Sequence, residues 1–298
     1  MEWLVTLAES AIQNGPHLAL IVSVYKGLKH VLAPFKPLYD AWVDEQKKDY
    51  AAKREQERLK DNKLELLKFA AELAQNGDSK YPESVSSHCR NLMKIAKFTT
   101  EFINDDEKPE EWKDDDEWVE RYFQEAQFVT DEELQKLWAR LMKEKLYRPS
   151  MVNKRVVYMV RDMDWDDLQF VSRTMKYFVE DSIPRELLMG IGTLSSDIIQ
   201  LAELGLVLPL EVEREQTFND IKTGESVEIP LKGYNLKLKK IGDADNSKFC
   251  FREFSLTQEG KVVYNLIQDQ LTELEVQKYV EFFKGTYKEQ FEVTLVKK

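Results

Sequence analysis

Few residues in this chain stand close enough in sequence to suggest chemistry. His88 and Cys89 form the one adjacent His/Cys pair, and an imidazole held against a thiol can generate a nucleophilic thiolate. That chemistry needs the base to face the sulfur across space, with a third group orienting it. Two neighbours on a helix point in different directions, and His17 and His30 lie in a distant segment, so the pair reads as structural. Asp162, Asp164 and Asp166 alternate as ligands do at the start of an EF-hand loop. The sixth position of that loop is Asp167 where Gly is needed, and the twelfth is Arg173 where a bidentate Glu is needed. Calcium binding fails on both counts, and helix capping explains Asp164 more simply.

Gly190-Ile191-Gly192 is a lone G-x-G with no strand before it. No Walker A stretch, dinucleotide-binding glycine pattern, HExxH or nucleophile elbow occurs in the sequence. With 54 Asp and Glu residues in the chain, carboxylates adjacent in sequence carry no information by themselves. The sequence therefore assigns no catalytic, cofactor-binding or metal-ligating residue. A dispersed active site leaves no local signature, so an enzyme is not excluded.

The chain has 298 residues, 43% hydrophobic and 33% charged, which suits one large or two ordinary globular domains. A formal charge of −11 argues against general affinity for phosphate backbones, which are bound by surplus Lys and Arg. Cys89 and Cys250 are the only cysteines, too few for a disulfide framework or a four-cysteine zinc site. Glu2 and Glu9 stand where a signal peptide wants cations. The expected location is the cytoplasm.

The clearest element is Val129 to Pro149, VTDEELQKLWARLMKEKLYRP. Thr130 with Glu133 fits a capping box, and Val129 with Leu134 fits a hydrophobic staple. Leu134, Leu137, Trp138, Leu141 and Met142 recur on one helical face, with Lys136, Arg140, Lys143 and Glu144 assigned to the wet side. Pro149 ends the run. Four segments surround this helix or contain it. Residues 1–46 are an apolar N-terminal helical segment. Residues 47–117 hold charged helices and an acidic linker, 118–205 a helical motif domain, and 206–298 an α+β C-terminal domain.

In the first segment Leu18, Ile21, Val22, Tyr25, Leu28 and Leu32 share a helical face. A spanning helix needs about 20 apolar residues, and this run is shorter and interrupted by Lys26, Lys29 and His30. The face is expected to pack on the rest of the protein or to mediate docking or self-association; peripheral membrane contact is the alternative. Asp44 to Gln75 reads as one long charged helix, with Ala52, Leu59, Leu66 and Leu73 spaced by seven, and Ser84 to Phe102 as a second. Asn104 to Glu117, NDDEKPEEWKDDDE, reads as a solvated linker. Asp164 and Ser195 or Ser196 are candidate caps of later helices, and Gly205 fits a left-handed C-terminal stop with Leu206 beyond it. Strands are predicted over Val227–Leu231, Tyr234–Lys240, Lys248–Leu256 and Phe291–Val296. A helix is expected to start at Thr257, and a second capping box at Thr272 and Glu275.

Arg54 to Asn62, then Trp118, Tyr122 and Phe123, then Thr130-Asp131-Glu132-Glu133-Leu134-Gln135, Leu137-Trp138, Leu141, Glu144 and Pro149 resemble an uncharacterised bacterial family, domain of unknown function two-eight-zero-six. Arg155 lies beyond these. The resemblance covers roughly residues 50 to 205. It departs after Pro149, where the family has Gly and Ser-x-Arg and this chain has Ser150 and Asn153-Lys154-Arg155. It implies no activity. The Leu137-Trp138 helix, Leu204-Gly205-Leu206 and Leu256-Thr257-Gln258-Glu259-Gly260 are also similar in style to abortive-infection proteins of bacterial antiphage defence.

The expected fold is mainly α with a smaller α+β C-terminal part, a helical core domain followed by a winged-helix-like domain. The expected function is a non-catalytic protein-interaction or effector protein in antiphage defence, without cofactors, working through a protein partner or self-association. The alternatives are a nucleic-acid-binding regulator with a winged-helix C-terminal domain, or a dispersed-site enzyme such as a nuclease. Against the regulator stands Ser195 to Gly205, the element that would enter the groove of DNA. It carries Asp197 and Glu203 and no Lys or Arg.

Overall fold

A computed structural model describes residues 16–49, 58–75, 82–104, 107–110, 115–191, 195–217, 222–241, 248–287 and 290–298. The chain divides into two compact units, Met1–Trp165 and Asp166–Lys298. The division falls inside the stretch 118–205 that patterning groups as one domain.

The described part of the first unit is helical: α1 Pro16–Val31, a 3-10 turn Ala33–Phe35, α2 Lys36–Asp49, α3 Arg58–Gln75, α4 Glu83–Phe102, α5 Asp116–Ala126, α6 Glu132–Tyr147 and α7 Lys154–Asp162. The long helix expected over Asp44–Gln75 falls in α2 and α3, with residues 50–57, including Ala52, outside those described. Of its heptad positions, Leu66 and Leu73 are buried, and so is Ala70 between them. α6 packs on α4, and α1 lies mainly on α5. The second contact needs Gly27, where an added Cβ would sit 2.1 Å from Cγ of Phe123.

The start of α6 differs from its sequence reading. Asp131, not Thr130, is the N-cap, accepting from Leu134 N at 3.0 Å. Asp caps as well as Thr does and also places a negative charge at the positive end of the helix. Glu133 pairs with Lys136 at 2.6 Å instead of reaching back to a cap. With Asp131 as the cap, the staple positions shift to Thr130 and Gln135, and buried Gln135 donates to the Val129 carbonyl at 2.8 Å. Glu144 is not on the wet side either: it is buried, and Arg148 holds it at 2.9 Å.

The acidic stretch is likewise more than a solvated linker. Glu107 pairs with Lys143 at 2.8 Å and Arg148 at 3.2 Å, Glu110 N donates to Tyr147 O, and Asp115 caps α5. Lys143 and Arg148 at the C-terminal end of α6 attract it and offset the repulsion that the helix C-terminus exerts on a carboxylate. Residues 105, 106 and 111–114 lie outside those described.

The second unit begins with α8, Trp165–Met175, most of which belongs to it, then β1 Ser182–Pro184, α9 Arg185–Ile191, α10 Ser195–Glu203 and β2 Val212–Thr217. β3 Ser226–Leu231, β4 Tyr234–Lys240, β5 Lys248–Ser255, α11 Gln258–Leu266, α12 Glu273–Tyr287 and β6 Phe291–Lys297 follow. The α10 stop is a full Schellman motif: Gly205 has φ 74°, its N–H bonds Ala202 O, and Leu206 N–H bonds Leu201 O. Thr272 and Glu275 form the reciprocal capping box at the start of α12, with N–H bonds of 2.8 and 3.3 Å.

Among the described residues the strands form two antiparallel three-stranded sheets, in the orders β1-β5-β2 and β3-β4-β6. The run α8-β1-α9-α10-β2-β5, with β5 central in its sheet, has the connectivity of a winged helix. Its wing is enlarged: β3 and β4 sit between β2 and β5 and pair with β6 to form the second sheet.

Candidate functional site

α10 has two apolar faces. Ile198 and Leu201 point into the core, 5% and 0% exposed, whereas Ile199 is 59% exposed. On α9, Leu187 and Leu188 are buried while Met189 is 70% exposed. Leu208 and Leu210, on the connection to β2, are also exposed. A groove of about 510 Å³ runs among these elements, walled by Leu188, Met189, Ile198, Ile199, Pro209 and Phe254. Its polar lining is Arg185, Glu203 and Glu211. Glu211 is held by Arg185 at 3.3 Å and Arg252 at 3.8 Å. Among the described residues no hydrogen bond or ion pair holds Glu203. Among the described residues the lining holds no Ser, Cys or His, and its apolar walls suit binding an apolar surface.

The residues singled out for chemistry go elsewhere. Cys89 is fully buried, and burial pushes its thiol up to about 12. The His88 ring meets Phe128 edge-on at 4.9 Å, and burial lowers its pKa. Asp162 pairs with Arg161, and Asp166 lies in the first turn of α8. Gly190 is in α9, and residues 192–194 lie outside those described. Among the described residues no group of three or more His, Cys, Asp or Glu could hold a metal ion.

Of the apolar face expected to dock a partner, Ile21, Leu28 and Leu32 are buried in the first unit, Val22 and Tyr25 are half-buried, and Leu18 is exposed. Half the face is thus already covered by the chain's own helices. Among the described residues no single helix is long and apolar enough to cross a membrane.

The aromatic motif residues converge around α5 and α6. Trp118 stacks on Tyr122 at 5.0 Å, Tyr122 meets Trp138 edge-on at 5.1 Å, and the Tyr122 hydroxyl donates to Trp138 O at 2.7 Å. All three rings are buried, and burial raises the Tyr122 pKa well above its ordinary value. Lys145, 3% exposed, closes the cluster with its Nζ 5.1 Å from the Trp118 ring. That ammonium donates to Asp115 Oδ2 at 2.9 Å and to the carbonyls of Val152 and Pro149 at 3.1 and 3.2 Å, so all three donors are used. Burial opposes charge on Asp115, but bonds from Lys145 and Trp118 N–H and the charges of Lys145 and Lys154 outweigh it and lower its pKa.

Residues 80–193 match the family described as a protein of unknown function, DUF2806. They are a DUF2806 region. No curated protein and no solved structure matches the chain. The DUF2806 region runs from just before α4 through α9, so its motif residues build the aromatic core and its last helix supplies one wall of the groove. The wall made by α10 and Phe254 lies outside the DUF2806 region.

The segments Leu204-Gly205-Leu206 and Leu256–Gly260 also meet, outside the DUF2806 region. The Thr257 hydroxyl donates to Gly205 O at 2.7 Å and accepts from Gly260 N–H at 2.9 Å, while Thr257 N–H donates to Leu206 O at 2.9 Å. Gly260 has no room for a side chain: a Cβ there would lie 1.9 Å from Leu206 O. Both motifs thus make one joint between the end of α10 and the start of α11.

Sequence reasoning missed the groove. The available signal was Ile199, an apolar residue off the buried stripe of α10, together with Met189 and Leu210 at element ends.

Proposed function

We propose that the chain is a non-catalytic protein-interaction protein whose second unit docks a protein partner through the groove between α9 and α10. One observation carries this reading: the outward face of α10 offers Ile199 and Glu203, beside exposed Met189 and Leu210, where a DNA-reading helix would offer cations and base-edge donors. Exposed apolar residues clustered around a concavity and rimmed by charge are typical of interaction sites. The outward positions of α1, Leu18, Val22 and Tyr25, are a second contact surface in this reading. The setting in this reading is the cytoplasm, supported by the low cysteine count and by Glu2 and Glu9, and antiphage defence, supported by the style of the Leu204-Gly205-Leu206 and Leu256–Gly260 motifs.

The winged-helix connectivity favours a second reading, a nucleic-acid-binding regulator. Fluorescence anisotropy with a random duplex at low salt separates the two. The docking reading expects no salt-sensitive binding at micromolar protein. Binding lost on changing Lys237, Lys239 and Lys240 overturns it in favour of the regulator.

A further inference from the structure

Resting on the docking reading, we infer that the occupant of the groove is an amphipathic helix with apolar side chains on one face and a Lys or Arg at its border. Three observations select this occupant. First, β5, which brings Phe254 to the groove, is the central strand of its sheet, hydrogen-bonded to β1 on one side and β2 on the other. With β5 paired on both sides an added strand cannot insert beside it, and side chains fill the groove instead. Second, the walls are side chains of two helices and one strand around about 510 Å³, the form of a helix-in-groove site taking a few apolar anchors.

The third observation is charge. Arg185 and Arg252 already hold Glu211, and among the described residues nothing holds Glu203. α10 also carries Asp197 and no cation. A partner cation at the border of its apolar face would meet Glu203, and an acidic partner would be repelled. The same sign argues against a second copy of this chain, whose formal charge is −11.

The full chain is tested with the dye ANS as a reporter of the groove and two 18-residue model helices as competitors, one of Leu and Lys, one of Leu and Glu. ANS should bind the native chain, and Ile199→Asp should abolish that signal without changing the circular dichroism. The Leu/Lys helix should displace the dye and the Leu/Glu helix should not. Ile199→Asp should weaken the Leu/Lys helix about 10-fold or more. Glu203→Gln should weaken it about 3-fold and flatten its salt dependence, with Glu281→Gln on α12 leaving both unchanged.

Equal displacement by both helices, or an equal effect of Glu281→Gln, overturns the cationic helix. Dye binding that depends on Ile199 but yields to neither helix also overturns it, while the docking reading stands. A dimer in sedimentation that Ile199→Asp dissociates assigns the groove to a second copy and overturns it. No Ile199-dependent dye signal and no helix binding overturn the docking reading as well.

Discussion

α6 and α10 are both short, capped, amphipathic helices, yet they treat their side chains in opposite ways. α6 buries ten of its sixteen residues, including Gln135, Glu144 and Lys145; Glu144 and Lys145 are ion-paired, and the Gln135 amide nitrogen donates to Val129 O. α10 buries Ile198 and Leu201 and leaves Ile199 outside. The helix with the strongest sequence signal is thus devoted to the fold. The helix with the weaker signal carries the surface that invites a partner, because a binding residue is one that departs from the pattern of the core.

The largest effect that sharpens this contrast is expected at the aromatic cluster. Trp138→Ala empties a fully packed site and removes the support of Tyr122, and should cost about 3–5 kcal/mol in a chemical denaturation curve. A stable variant would place Trp138 with Ile199, as a surface for binding. Lys145→Ala should cost about 3 kcal/mol, at the lower end for a broken buried pair, since Asp115 is 41% exposed and keeps access to water.

Gly27→Ala tests how α1 is held. A methyl 2.1 Å from the Phe123 ring forces that ring or α1 to move, at about 1–3 kcal/mol, partly offset by the better helix propensity of Ala. If α1 instead leaves the bundle to dock elsewhere, the variant keeps its stability but exposes α1 to proteolysis.

Acid titration compares the two units. Burial works against charge on Glu275, but bonds from Thr272, Tyr177 and Lys176 outweigh it and lower its pKa to about 2. A lowered folded-state value means stability that is present above the ordinary 4.5 and lost as pH falls toward about 2. Glu275→Gln should cost about 1–3 kcal/mol at neutral pH and flatten that acid limb. Asp115, also lowered, gives the first unit a limb of the same sign.

Much of this architecture is legible in the sequence where one strong local cause acts alone. Gly205 ends α10 because only a left-handed residue closes that turn, and Thr272 with Glu275 starts α12 by reciprocal bonding. The sequence points to Thr130 as the cap of α6 because Glu133 stands three residues on, but its neighbour Asp131 caps equally well and takes the position. β1 is three residues with a proline, and β2, VEREQT, is polar; both are strands because β5 pairs with them, a long-range cause that no window contains. The wet-side reading of Glu144 and the linker reading of the acidic stretch fail because Glu107 meets Lys143 and Arg148, 36 and 41 residues away in sequence, only in the fold. The groove was hidden for the same reason, its walls coming from α9, α10 and β5.

The smallest effect on stability belongs to the residue with the largest expected effect on binding. Ile199 and Trp138 are best measured together, by thermal unfolding and ANS fluorescence on the same samples. Ile199→Asp should melt within about 2 °C of the parent and lose dye binding, since surface changes stay within about 0.5 kcal/mol. Trp138→Ala should melt roughly 6–15 °C lower and keep the dye signal while folded. If Ile199→Asp melts as low as Trp138→Ala, Ile199 is a core residue and α10 presents no docking face.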